Sequence, residues 1–263
     1  MKRFLLIILA LAVTVFCGCS DEQSDETVSA ANDMNSAIEK ANNETKLDGE
    51  YTLSLTFDKG KVLYHAQGDV AWDRAEKTAY AGFDQTYLGA SVVMRNYYSD
   101  GKMISVADGE SQVSDRKSSE LFSKFPYFSL PKYDDSCGKI TVGQNSAGTS
   151  YTFERSDAKQ LFDVLVGGDI YSLVYSIKNP QPEKTEYGNV ECVYTVSDGK
   201  IVSCRYEFDV KLFDTPTYIP GYSQSEDEYT IDLHITAKIT YNSFGDSVAV
   251  EEYSAPISDT ESK

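Results

Sequence analysis

Residues 190–212 read Val190-Glu191-Cys192-Val193-Tyr194-Thr195-Val196-Ser197-Asp198-Gly199-Lys200-Ile201-Val202-Ser203-Cys204-Arg205-Tyr206-Glu207-Phe208-Asp209-Val210-Lys211-Leu212. Val190, Cys192, Tyr194 and Val196 alternate with polar or smaller neighbours, and Val202, Cys204, Tyr206, Phe208, Val210 and Leu212 do the same. A period of two puts each set on one face of a strand. Between them stands Ser197-Asp198-Gly199-Lys200, turn residues with a glycine that takes positive φ without strain. The stretch is therefore an antiparallel hairpin with one apolar face. A three-residue loop with Gly199 left-handed pairs Val196 with Lys200 and sets Cys192 opposite Cys204. Two outcomes stay open for that pair, a disulfide or two buried free thiols.

The same pattern recurs outward in both directions. Tyr51, Leu53, Leu55 and Phe57 alternate, Lys59-Gly60 turns, and Val62, Tyr64, Ala66, Val70 and Trp72 share the next face. Residues 78–83 and 91–98 continue the alternation, Ser99-Asp100-Gly101-Lys102 repeats the turn, and residues 103–107 return. Residues 139–142 and 150–153 form another hairpin. After a Pro- and Tyr-rich loop (215–228), Tyr229, Ile231, Leu233, Ile235, Ala237, Ile239 and Tyr241 mark a long strand, and Val248 and Val250 a short last one. The shared Ser-Asp-Gly-Lys turn hints at two related halves.

Helical spacing appears in fewer places. Ala30, Met34, Ala37, Ile38 and Ala41 predict an amphipathic helix over 30–43 whose small side chains lie close on a sheet. Ser118-Ser119 caps a short helix carrying Leu121, Phe122 and Phe125, stopped by Pro126. A second begins after Ser156 or Asp157, with Leu161, Phe162 and Leu165 on its apolar face and Gly167-Gly168 at its end. Ile170, Leu173, Val174 and Ile177 space a third before Pro180. Strands outnumber helices and pair with their neighbours, which makes the fold class α+β. An antiparallel sheet with one apolar face buries it against helices or curls around a cavity.

The first nineteen residues carry an address. Met1-Lys2-Arg3 is basic, residues 4–16 are almost wholly apolar, and Cys17-Gly18-Cys19 follows. This is the layout of a bacterial lipoprotein signal, too short for a membrane span and followed at once by acidic sequence. The expected organisation is a signal peptide over 1–18, a lipidated flexible tether over 19–29, a single domain over 30–257 and a disordered tail over 258–263. Lipidation falls on Cys19, with Gly18 as the small residue before the cut, and a diacylated cysteine is an anchor that lasts. The expected location is the outer face of the cell membrane.

The chain has a net charge of -17, which excludes nucleic acid as a partner. No G-x-S-x-G, phosphate-binding glycine loop or H-E-x-x-H is present, and no C-x-x-C accompanies the two histidines. No metal or cofactor is implied, and no enzyme activity. His65 and His234 fall on the polar faces of their strands, and the acidic run Ser225-Glu226-Asp227-Glu228 reads as a solvated loop. Cys137 lies in a polar loop.

With its lipobox, the helix Ser36-Ala37-Ile38-Glu39-Lys40-Ala41, the strand from Tyr51 to Phe57, the repeated strand pairs and the closing run Lys238-Ile239-Thr240-Tyr241-Asn242-Ser243-Phe244-Gly245, the chain resembles the LolA/LppX-like lipoproteins of bacterial envelopes, most of all an uncharacterised Gram-positive branch. The resemblance covers roughly residues 34–257 as architecture. It implies an incomplete β-barrel, a curved antiparallel sheet with helices on its concave side, that binds lipids or lipid-modified proteins there. The cysteine pair and the 215–228 loop depart from that pattern.

The expected function is an anchored lipoprotein holding a hydrophobic or lipid-like ligand in an apolar groove. Tyr51, Leu53, Leu55, Phe57, Tyr64, Trp72, Tyr206, Phe208, Ile231, Leu233 and Ile235 are its candidate lining. The alternative is a protein-interaction module with a closed core, contacting an envelope protein through Tyr218, Tyr222 and Tyr229 with Pro216 and Pro220.

Overall fold

The computed structural model describes residues 25–57, 60–119, 130–165, 182–213 and 230–254. In chain order these form α1 (Asp25–Asn43), β1 (Lys46–Phe57), β2 (Lys61–Asp73), β3 (Thr78–Tyr87), β4 (Ala90–Ser99), β5 (Lys102–Ala107), β6 (Glu110–Asp115), β7 (Thr141–Asn145), β8 (Gly148–Arg155), α2 (Ala158–Leu165), β9 (Glu186–Tyr187), β10 (Val190–Ser197), β11 (Lys200–Leu212) and β12 (Ile231–Phe244). All twelve strands join one antiparallel sheet, in the order β6-β5-β4-β3-β2-β1-β12-β11-β10-β8-β7, with β9 beside the end of β11. The first and last strands, β1 and β12, meet at its centre. The sheet stays open, with β6 and β7 as its edges.

Alternation builds the inner face. Tyr51, Leu53, Leu55 and Phe57 stand opposite Ile239, Ala237, Ile235 and Leu233. Those face Cys204, Tyr206, Phe208 and Val210 on β11. All are buried in one continuous core. The other face is a polar ladder, where Arg205 bridges Glu191 and Glu207 and Arg95 meets Asp84. Irregular pairing between Asp48 and Gly49, between Leu55 and Thr56, and between Thr195 and Val196 bends the strands, since each bulge adds local twist. The result is the curved, incomplete barrel that the resemblance implied, with α1 on its inner face.

Helix α1 buries Ala30, Met34, Ala37, Ile38 and Ala41, the five residues of the expected stripe. It lies on β10 and β11. It is helical from Asp25 onward, before the expected start at residue 30, and Thr27 extends the buried stripe by one more turn. Among the described residues no helix is long and apolar enough to cross a membrane.

The hairpin of residues 190–212 forms, but in a different register. Asp198 and Gly199 both have positive φ, 51° and 69°, so the turn has two residues and pairs Ser197 with Lys200. A bulge next to the turn then sets Cys192 opposite Tyr206 and Cys204 opposite Tyr194. The two cysteines are diagonal neighbours, a spacing of roughly 7–8 Å that an S–S bond does not span. Both are free and buried. Of the two outcomes left open for Cys192 and Cys204, this register gives the buried free thiols.

One further expectation changes. Val248 and Val250 form no strand. Residues 248–254 run instead along the outer face, where Tyr253 packs on Tyr97 and the Tyr97 hydroxyl donates to Glu251 at 3.2 Å. Tyr241 and Asn242 lie within β12, with Asn242 as the extra residue of a bulge. The helix at 170–177, the 215–228 loop with its tyrosines, prolines and acidic run, and most of the 118–125 helix lie outside the described residues.

Candidate functional site

The inner face divides into two zones. Over β8, β10 and β11 it is covered. An extended strap at 130–133 runs beside α1 and is held by two asparagines. Asn35 Nδ2 donates to the Tyr133 carbonyl and Oδ1 accepts from the Tyr133 amide, at 2.8 and 2.9 Å. Asn42 does the same with Leu130, at 2.9 and 2.8 Å. Two helical turns span about 10.5 Å and three extended residues about 10 Å, so the spacings match. The Tyr133 ring meets Phe153 on β8 edge-on, and Lys132 pairs with Glu39. Nearby α2 buries Ala158, Phe162 and Leu165, with the Phe162 ring against Tyr187.

Beneath this cover lies a polar seam. The Tyr194 hydroxyl donates to the Pro131 carbonyl at 3.1 Å and shares a hydrogen bond with the Tyr206 hydroxyl at 3.0 Å. Burial pushes both phenols up, so they stay neutral. Burial likewise raises the Cys204 thiol to about 12, and it raises Cys192 further. These thiols are inert at neutral pH. The half-buried Cys137 is also raised by burial. It lies 3.7 Å from Asp134 Oδ1.

From β12 through β1 and β2 to β3, β4 and β5 the face is largely apolar, interrupted on β4 and β5 by Asn96 and Ser105, whose side chains pair at 2.7 Å. Leu53 meets Ala66, Leu55 meets Tyr64 and Leu47 meets Trp72. Gly68 then allows Tyr51 and Phe83 to touch across it, ring centroids 5.8 Å apart. Beyond Gly68 burial falls. Ala81, Phe83, Tyr87, Leu88, Met94 and Met103 are only half-buried, and Ala81, Phe83, Tyr87, Leu88 and Met103 pack against the core. The Gln85 side chain is buried among them and its amide donates to the Met94 sulfur at 3.7 Å.

All eleven candidate lining residues lie on this inner face, each at most 7% exposed. They belong to the deep floor of the sheet. The half-open wall on β3–β5 was not singled out from the sequence, because Ala81, Phe83, Met94 and Met103 are scattered among glycine and polar residues. A signal was nevertheless there, in the alternation of residues 78–83 and 91–98.

His234 stands on the outer face, its Nδ1 2.8 Å from Asp209 and its Nε2 3.4 Å from Glu207. His65 lies on that face too, opposite Ser54. Among the described residues no three His, Cys, Asp or Glu side chains are grouped to hold a metal. Cys19 lies outside the described residues.

No protein-family model and no curated protein matches the sequence. Solved structures similar to this chain include the lipoprotein LppX of Mycobacterium tuberculosis, at 9% identity and TM-score 0.45 over 85% of this chain and 99% of that one. LprF of Mycobacterium bovis is similar at 9% identity and TM-score 0.46, over 86% and 97%. A LolA superfamily protein of Nitrosomonas europaea is similar at 10% identity and TM-score 0.27, over 84% and 94%. Likenesses at these scores carry no functional argument. The fold itself is a curved open antiparallel sheet with a helix on its inner face.

Proposed function

We propose that this chain is an envelope lipoprotein, anchored through Cys19, that holds a hydrophobic, lipid-like ligand against the inner face of its sheet without enzymatic chemistry. One observation carries the reading. The inner apolar face continues from the packed floor onto β3–β5, where Phe83, Met94 and Met103 are half-buried, while the contacts of α1, the strap and α2 fall on β8–β11. Concave apolar surface bordered by a few polar groups is what an acyl chain needs, and methionines adapt to chains of varied shape. Gln85 is the polar group placed to meet a carbonyl or hydroxyl of the ligand.

The lipobox at residues 17–19 supports the address, and a net charge of -17 fits a protein held by its acyl chains rather than by attraction to anionic head groups. The deep residues Tyr51, Leu53, Leu55, Phe57, Tyr64, Trp72, Ile231, Leu233 and Ile235 form the floor of the site, while Tyr206 and Phe208 on β11 belong to the zone covered by α1. The test is binding of a fluorescent fatty acid to the secreted form, with Met94→Asp and Met103→Asp as wall variants. Binding that weakens in both while the fold persists supports the reading, and absence of binding by the parent chain overturns it.

A further inference from the structure

Strand β6 is the edge of the sheet beyond β5. The phase of its hydrogen bonding follows from the residue after it. The Arg116 amide donates to the Gly101 carbonyl at 2.8 Å, and the Arg116 carbonyl accepts from the Tyr98 hydroxyl at 3.3 Å. The main chain of Arg116 therefore faces β5. Main-chain groups alternate from one side of an antiparallel strand to the other. Those of Glu110, Gln112 and Ser114 thus face β5 as well, and Ser111, Val113 and Asp115 turn their amides and carbonyls outward. All three residues are exposed, and at 59% Val113 is the most exposed large apolar side chain among the described residues. It ends a row on the outer face, where Tyr80, Tyr97, Ile104 and Val113 stand in line across β3, β4, β5 and β6.

Sheet edges are commonly blunted by lysine, proline or a bulge. Strand β6 has none of these, and pairs with β5 residue for residue without a break. Its charges are instead sorted by position. Asp108 and Glu110 lie at its start and Arg116 and Lys117 just past its end, all four exposed. A strand acidic at one end and basic at the other is complementary to a second copy of itself run antiparallel. Of the antiparallel registers, one pairs the three outward residues among themselves. It sets Val113 against the partner's Val113, Ser111 against the partner's Asp115 and Glu110 against the partner's Arg116. A shift of two residues either way separates the opposite charges and leaves outward groups unpaired. The other edge, β7, carries no charged residue that could set a register.

We propose that β6 pairs with β6 of a second copy of this chain about a twofold axis at Val113, joining two sheets into one. The proposal is independent of the lipid-binding reading and holds whether or not the inner face takes a ligand. The contact involves residues 110–116 of each copy, few against the roughly 20–30 residues a side of a stable interface. The dimer is accordingly weak, with a dissociation constant on the order of 10–100 µM. A net charge of -17 repels a second copy at long range, so association is favoured where salt screens that repulsion and spares the close pairs.

The experiment is sedimentation equilibrium of an unlipidated soluble form beginning at Ser20, from about 1 to 300 µM chain in about 0.15 M salt. The parent shows a monomer–dimer equilibrium that stops at the dimer. Glu110→Arg and Arg116→Glu each set like charges across the axis and weaken the dimer about tenfold, and the double variant regains the parent's constant. Val113→Lys weakens it as well. All three positions are exposed, so the variants melt with the parent, which a thermal scan verifies. A parent that stays monomeric over the whole range overturns the proposal. A dimer untouched by the single variants, or one that the double variant fails to restore, overturns it too. Growth beyond the dimer also overturns it, since β6 would then be pairing with a different edge of the next copy.

Discussion

Asn35 and Asn42, two turns apart on α1, each close a pair of hydrogen bonds on the backbone of one extended strap, at Tyr133 and Leu130 respectively. One side-chain type thereby satisfies four main-chain groups that would otherwise be stranded between a helix and a sheet. Removing either amide leaves a buried N–H and C=O without partners. Asn42→Ala should cost about 2–3 kcal/mol, read as a lower midpoint in urea denaturation with an unchanged slope. A loss below half a kcal/mol would mean that the strap is not held by these bonds.

Gly68 is fixed by closeness rather than by backbone freedom. A Cβ added there would meet the Gly82 carbonyl oxygen, and the Tyr51 and Phe83 rings already meet across the position. Gly68→Ala should force β2 and β3 apart and cost about 3 kcal/mol, measured by thermal or urea unfolding. Retention of parent stability would show that the sheet accommodates a side chain there.

The cysteines titrate and react according to burial. At pH 8 under native conditions iodoacetamide should modify the half-buried Cys137 first, and Cys192 and Cys204 only after unfolding, because burial raises both of those thiols further. Intact-mass analysis of air-exposed protein should show no Cys192–Cys204 bond. Finding that bond in folded protein would contradict the hairpin register.

The Arg155 guanidinium holds the Asp157 carboxyl below its ordinary value of 3.8, through hydrogen bonds of 2.8 Å to both of its oxygens. A carboxylate with a lowered folded pKa contributes stability that is complete above the ordinary value and is lost as pH falls from 3.8 through the lowered one. Asp157 is partly exposed, so after solvent screening Asp157→Asn should cost about 1 kcal/mol at pH 7. The gap between parent and variant should narrow as the pH falls below 3.8. A gap that persists undiminished there would show that the pair does not act through its charge.

The fold was legible where period and burial coincide. The five residues of the α1 stripe and the alternation of β1 and β12 put each large side chain on the face where it lies, whereas bulges on β2 and β11 take Val62, 50% exposed, and Val202 off the expected face and bury Leu63 and Ile201 instead. What escaped was of two kinds. Strand β6, Glu110–Asp115, carries one large apolar residue, Val113, itself 59% exposed. It is recruited by its turn and its neighbour, and has no hydrophobic signal of its own. The register at Cys192 and Cys204 failed for a geometric reason: one bulge and a two-residue turn move the pairing by two, and neither leaves a mark in a period-two pattern. The candidate site was half legible. Its floor follows from alternation, but the pairing of Asn35 and Asn42 with residues nearly a hundred positions away has no local signature.

The central claim is that the inner face receives a lipid. The direct measurement is native mass spectrometry of an unlipidated soluble form beginning at Ser20, purified without detergent, before and after incubation with a fatty acid or a diacyl lipid. The account predicts a population carrying one bound lipid, displaced by competing acyl chains and diminished by Met94→Asp. A spectrum of unliganded chain alone, unchanged by any acyl lipid supplied, would contradict it.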